Sequence, residues 1–197
     1  MRCLTWLSAP GSCTGHVTPH VSILATGAPL AARSIDIAAA LIGSGCTASI
    51  AATQAALPWI DSEQVAKMTS APLRVQYREP GSPSPKDPDA VVVCPATFNT
   101  VGKAALGIAD TYVHSVLCEA IGARTPTLMV PMVKHSLWNH PSWVSHLERL
   151  TAAGVAFIDP QTGEDKPNPV YSGTSAEVTT SFDPQWIVAA LGRRLPS

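Results

Sequence analysis

Three short stretches hold the residues best suited to chemistry: Pro95-Ala96-Thr97-Phe98-Asn99-Thr100, Thr26-Gly27-Ala28 together with Thr53, and Lys134-His135 together with His140. The first places hydroxyls and a carboxamide directly after residues 90–94, a valine-rich apolar run that suits a central strand covered on both faces. Pro95 has no ladder N–H, so the strand is expected to end there and a helix to start near Asn99 or Thr100. Open α/β sheets bind ligands at the carboxyl ends of their strands, and a helix N-terminus there offers free N–H groups. This turn reads as the wall of a cofactor site. Within it, Phe98 either covers a ligand or packs in the core, and Asn99 either reaches the ligand or caps the helix. Gly27 follows the short apolar run 21–26 and precedes a helix, so its backbone can approach a phosphate with the helix dipole behind it. Tight glycine turns follow strands in many α/β proteins, so that signal is not specific alone.

The elements that must position these residues follow from periodicity. Leu30, Ile35, Ala38, Leu41 and Ile42 recur at helical spacing over 30–42, and a strand is expected over 47–51, which brings Thr53 to the same edge as Gly27. A helix over 57–68, a strand over 73–77, a helix over 100–107 and another over 111–121 follow. Then come a strand at 127–131, an amphipathic helix over 138–154, a strand at 155–158 and a short helix over 184–191. Strands alternating with helices imply an α/β fold with a mostly parallel, doubly wound, Rossmann-like sheet flanked by helices. Residues 1–19 lack periodicity and read as a loose arm whose His16 and His20 are solvated. Residues 20–197 are expected to form a single domain. Residues 78–88 are proline-rich and read as an exposed connection. Residues 159–182 are polar and turn-rich, which suits a flap over the site or an excursion over a neighbour.

Composition narrows the function classes. The 197 residues are 46% hydrophobic and 14% charged, enough for one substantial core, and the net charge of -1 gives no basic footprint for nucleic acid. No apolar run reaches the roughly 18 residues of a membrane span, and the first residues make a poor secretory signal. The five cysteines (Cys3, Cys13, Cys46, Cys94, Cys118) show no paired spacing, which fits a reduced, cytoplasmic protein. Gly43-Ser44-Gly45-Cys46-Thr47-Ala48 matches a dinucleotide fingerprint as a string, yet it follows a helix and opens a strand, the reverse of what that motif needs. His135, His140 and His146 put no pair on one helix face, so no metal site is expected.

Pro95-Ala96-Thr97-Phe98-Asn99-Thr100, followed by Lys103 and Gly107-Ile108-Ala109-Asp110, resembles the PASANT segment of the homo-oligomeric flavin-containing cysteine decarboxylases. Pro131-Met132-Val133-Lys134-His135-Ser136-Leu137-Trp138-Asn139-His140-Pro141 is similar to that family's PxMNxxMW segment. Thr26-Gly27 before a helix and Thr53 after the second strand match the opening of the same fold. The resemblance implies an FMN-binding subunit assembled as a homo-oligomer, usually trimers, with flavin between protomers. It implies that Thr26, Gly27, Ala28 and Thr53 face the phosphate and that Pro95, Ala96, Thr97, Phe98 and Asn99 line the ring. It further implies that the flavin takes a hydride from a cysteine side chain, and that the thioaldehyde acts as the electron sink for carboxylate loss, leaving an enethiol.

Two departures bear on catalysis. The family's histidine upstream of PASANT falls at Gly81, and no histidine lies between His20 and His114. The family's asparagine, which holds the substrate carboxylate, falls at Lys134. A full salt bridge stabilises the ground state that decarboxylation must leave, so this lysine suits an anionic ligand, a thiolate or enolate product, or solvent. His135 or His140 is expected to replace the missing base. The expectation is an FMN-dependent oxidative decarboxylase of a cysteine-containing substrate, with a C-terminal peptidyl-cysteine ahead of phosphopantothenoylcysteine. The alternatives are a flavin-binding regulatory or assembly subunit and a different FMN-dependent redox enzyme.

Overall fold

The computed structural model describes residues 18–79, 81–82 and 86–194, so the arm expected over 1–19, with His16, lies outside the described residues apart from Thr18 and Pro19. Five parallel strands form one sheet in the order β2-β1-β3-β4-β5: β1 His20–Ala25, β2 Thr47–Ala52, β3 Ala90–Ala96, β4 Thr127–Pro131 and β5 Ala156–Phe157. Every residue of β3 is buried. Because side chains alternate across a strand, Val92 and Cys94 enter one layer and Val91 and Val93 the other. The first layer packs Ile37 and Leu41 of α1 (Ser34–Gly43), Val65 of α2 (Ser62–Thr69), Val178 of α7 (Ser175–Ser181) and Ile187 of α8 (Gln185–Gly192). The second packs Val101 of α3 (Phe98–Leu106), Leu117 of α4 (Tyr112–Gly122) and Trp143 and Leu150 of α6 (Trp143–Ala152). Both faces are covered by helices, the doubly wound, Rossmann-like arrangement expected from the alternation of elements.

Several boundaries differ from expectation, each for a local reason. The helix expected over 30–42 is a 3₁₀ turn, Pro29–Arg33, running into α1. The helix expected over 57–68 divides into a 3₁₀ turn, Gln54–Trp59, and α2, because the Asp61 side chain accepts from the amides of Glu63 (2.9 Å) and Gln64 (3.2 Å) and starts a new helix. The helix expected over 138–154 divides into α5 (His135–Trp138) and α6, with Pro141, which has no N–H to donate, between them. Val144, within the helix expected to be amphipathic, is 60% exposed. The strand expected over 73–77 is reduced to one bridge between Arg74 and Ala51. β3 continues past Pro95 to Ala96 across a register shift, so the proline marks an irregularity instead of the strand's end. Gly45, in the discarded dinucleotide string, takes φ 94° in the turn from α1 to β2.

Residues 159–182 are fastened to the sheet's own helices. The buried Asp159 carboxylate accepts from the amides of Gln161, Thr162 and Asn168 and from the Asn168 side chain, while Val170, Val178 and Phe182 are buried. His20 is not simply solvated either: its ring nitrogens lie 3.0 Å from Thr47 Oγ1 and 3.0 Å from Ser49 Oγ, joining β1 to β2.

His114 on α4 makes stability depend on pH. Its side chain is buried, with Nδ1 2.8 Å from Thr111 Oγ1 and 3.1 Å from Asp110 Oδ1, and its Nε2 has no partner. Burial and then the Lys103 ammonium pull its pKa below the ordinary 6.5, with Asp110 opposing. Below that ordinary value the unfolded chain binds more protons than the folded one, so this contribution is full above 6.5 and is lost progressively as pH falls from 6.5 through the lower folded value. Thermal melts across about pH 5–8 are expected to show the midpoint dropping on the acid side, with a shallower drop in His114→Gln. Equal slopes for the two proteins would refute the assignment.

Candidate functional site

Four loops meet at the carboxyl edge of the sheet, and bonds between neighbouring strands hold them in pairs. After β1 and β2, the Thr53 amide donates to Ala25 O at 3.0 Å, and a Cβ on Gly27 would stand 2.7 Å from Ala55 Cβ, so only glycine fits this approach without movement. Between β1 and β3, the switch point of the strand order, the buried Thr26 hydroxyl donates to Pro95 O at 2.8 Å and accepts from the Thr97 amide at 3.2 Å. Between β3 and β4, Ala96 pairs with Pro131 and the Met132 amide donates to Ala96 O at 3.0 Å. The two proline-containing strand ends therefore set their loops side by side.

The residues singled out in the sequence take distinct places around this junction. Pro95 follows a cis peptide and is buried with Ala96. Thr97, not Asn99, is the cap of α3: its hydroxyl accepts from the Thr100 amide at 3.4 Å, and the helix starts at Phe98. Asn99 is thereby left exposed with its carboxamide uncommitted among the described residues. Phe98 is half-buried and stacked on Trp143 at 5.6 Å and 22°, which gives it a rigid backing. The Thr26 hydroxyl is engaged inside the protein and the Ala28 amide donates to Thr26 O, so the donor this loop can offer a ligand is the Gly27 amide. Thr53 Oγ1 is buried and has no hydrogen-bond partner among the described residues, an uncommon and costly state.

The three catalytic candidates are all exposed but do not converge on one point. Lys134 begins the turn into α5 and pairs through its backbone with Val170. His135 stacks on Tyr171 at 5.3 Å and 18°, toward the 159–182 segment. His140 stands edge-on to Phe98 at 5.5 Å and so reaches the β3 turn. Its Nδ1 accepts from the Ser142 amide at 3.2 Å, which leaves the proton of the neutral ring on Nε2. Nε2 is then the nitrogen that can donate in the neutral ring, a different use from the base expected of His140.

Sequence reasoning missed the aromatic base of the site. Trp143, stacked on Phe98, lies 4.9 Å from Trp138, and the signal was present in two tryptophans flanking Pro141. A cavity of about 840 Å³ lies elsewhere, between the β1–β2 face and α4, lined by His20, Ser49, Arg74, Tyr77 and Tyr112. It opens near the amino ends of β1 and β2, away from the convergent loops, so the carboxyl edge is the better functional candidate.

Comparison with known proteins bears on this edge. The family model described as "Flavoprotein" matches residues 13–178, a span that contains all four loops and both sequence landmarks. The coenzyme A biosynthesis bifunctional protein CoaBC of Thermococcus kodakarensis is 42% identical over 78 residues, 40% of this chain and 19% of its own length. The chain thus spans about a fifth of the length of that curated relative. A solved PPC decarboxylase mutant has a TM-score of 0.67 at 19% identity, covering 88% of this chain and 96% of that one. The cypemycin decarboxylase CypD has a TM-score of 0.65 at 18% identity, covering 88% and 92%. The structural likenesses establish a shared fold, and the family match over most of the chain establishes that this protein belongs to the Flavoprotein family.

Proposed function

We propose that this chain binds FMN at the carboxyl edge and acts as an oxidative decarboxylase of a cysteine-containing substrate, with peptides ending in cysteine as the preferred class. The observation that carries the reading is the junction of the loops after β3 and β4, joined at Ala96 and Met132 and again where His140 meets Phe98, within the span matched by the family model. CypD is, by its name, a decarboxylase of cypemycin, which supports the decarboxylase reading. The residues present fit the cofactor. A phosphate can accept from the Gly27 amide and from the partnerless Thr53 hydroxyl, with Ala28 beside it in the same turn, while Pro95, Ala96, Thr97 and the half-buried ring of Phe98 suit a flat ring. Asn99 stands where its carboxamide can meet the ring's polar edge. Bound FMN supplies a two-electron acceptor. Lys134 suits the thiolate of the product, and Nε2 of His140 holds a proton toward the substrate sulfur, favouring its thiolate.

The fit makes an unusual prediction for Thr53→Val. Removing the unsatisfied hydroxyl is expected to stabilise the FMN-free protein by about 1 kcal/mol and yet weaken FMN binding roughly tenfold. Thermal melts and flavin-fluorescence titration measure the two effects, and equal signs would contradict the placement.

The function is tested on flavin-loaded protein incubated with peptides ending in cysteine and with small cysteine conjugates, followed by mass spectrometry for loss of carbon dioxide and two hydrogens. A yellow protein that transforms none of them supports a second reading, a flavin-binding subunit without the reaction, which is favoured by Lys134 and Gly81 standing at the family's asparagine and histidine positions. A different FMN-dependent redox reaction is the third. A homotrimer, expected by light scattering, and a cytoplasmic setting belong to the proposed reading; no helix among the described residues is long and apolar enough to cross a membrane.

A further inference from the structure

We propose that Arg33 is a positioning residue that couples phosphate binding at the Gly27–Ala28 loop to the 168–182 segment, and through it to Lys134 and His135. This inference rests on the proposed FMN site. Arg33 is the last residue of the 3₁₀ turn that begins at Pro29, directly after that loop, and the turn is closed onto it by the Ala28 amide donating to Thr26 O at 2.7 Å and the Ala31 amide donating to Ala28 O at 2.9 Å. The guanidinium is partly buried and is held in orientation by Nε donating to Asp36 Oδ2 at 2.5 Å. Its Nη1 donates to Thr179 O at 2.7 Å and Thr180 O at 3.4 Å, two of the carbonyls that the last turn of α7 cannot satisfy internally. A cation at a helix C-terminus is favoured by the helix dipole as well, so this contact fixes where α7 ends.

The other end of the segment is fastened on the far side of the site. The Val170 amide donates to Val133 O at 2.8 Å, the His135 amide donates to Val170 O at 3.1 Å, and Tyr171 stacks on His135. Between these anchors Val178 is buried in the core layer shared with α1. The chain from the phosphate loop through Arg33, α7 and Val170 to Lys134 is therefore continuous in contacts and joins the two ends of the site. A fork with several donors is needed to hold a carboxylate and two carbonyls together; a lysine ammonium at the end of a flexible stem holds them less rigidly. Ordering of the phosphate loop and ordering of 168–182 then favour each other, and the coupling must be reciprocal.

The test is hydrogen–deuterium exchange of the full chain with and without FMN, alongside FMN affinity by fluorescence titration. In the wild type, FMN is expected to slow exchange within 168–182 several-fold. In Arg33→Ala that slowing is expected to disappear while FMN still binds, with affinity reduced by less than about tenfold, and Arg33→Lys is expected to fall between. Arg193→Ala, which removes only an exposed pair to Asp165, should respond to FMN like the wild type. If Arg33→Ala does not fold, Arg33→Lys alone decides, since full wild-type slowing in it overturns the coupling. Slowing that survives in Arg33→Ala, or a wild type that binds FMN without any change in 168–182, also overturns it. A wild type that binds no FMN overturns the proposed function together with this inference.

Discussion

Trp143→Ala is expected to lower stability by about 3–5 kcal/mol, the usual cost of emptying a large aromatic site in a packed core. Trp143 is fully buried, lies 4.9 Å from Trp138 and 5.6 Å from Phe98, and belongs to the core layer formed with α3 and α4. Its indole Nε1 has no partner, so part of the native residue's burial already works against folding. Trp143→Phe should therefore cost much less than alanine, because it removes the unsatisfied N–H along with only part of the ring volume. Val144→Ala, next in sequence but exposed, should stay within about 0.5 kcal/mol. Chemical denaturation of the three variants decides the matter: a Trp143→Ala shift no larger than that of Val144→Ala would remove the aromatic base from the account of this fold. The same variant should bind FMN more weakly, since Phe98 loses the surface that keeps its ring in place.

Gly27→Ala is expected to reduce FMN affinity by at least roughly tenfold, equivalent to about 1.4 kcal/mol, in a chain that still folds. The added methyl meets Ala55 Cβ at 2.7 Å, and neither atom lies at the end of a flexible side chain, so the backbone must move. The loop after β1 then shifts away from the loop after β2, which separates the Gly27 and Ala28 backbone from Thr53. Ala55→Gly in the same chain removes the colliding methyl and should restore most of the affinity. If Gly27→Ala binds FMN like the wild type, or if Ala55→Gly gives no recovery, the phosphate does not depend on this approach of the two loops.

Features that depend on neighbours in the chain are legible in the sequence. The valines of β3 and the apolar residues of β4 announce buried strands, and the polar run after Pro95 announces a helix start within a residue or two of its place, although β3 itself runs on to Ala96, because period and turn chemistry act over a few residues. Strand periodicity alone therefore suffices to put the loops carrying Gly27, Thr53, Thr97 and Lys134 on one edge. The breaks between the 3₁₀ turn and α2 and between α5 and α6 are not legible in the same way. Apolar spacing continues through both, and a single capping carboxylate at Asp61 or a proline at 141 decides where the helix stops. Least legible are contacts between residues remote in sequence: Thr26 with Pro95, Phe98 with Trp143, and Arg33 with Thr179. The roles of His135 and His140 belong to that class as well. Their positions are visible in the chain, but not that one stacks on Tyr171 and the other meets Phe98.

The strand order has a kinetic consequence. β1 pairs with β2 across a short helical connection, but its other partner, β3, lies far along the chain: His20 and Asp89, bonded at the start of that ladder, are 69 positions apart. Parallel pairings of such separation slow folding, because the loop must close before the contact can form. The β1–α1–β2 unit can assemble first, leaving Val91, Val92 and Val93 as a bare apolar run until β3 inserts. Such a run is prone to pair with its own kind on another chain, so recovery from denaturant is governed by how dilute the protein is when the centre of its sheet is still vacant.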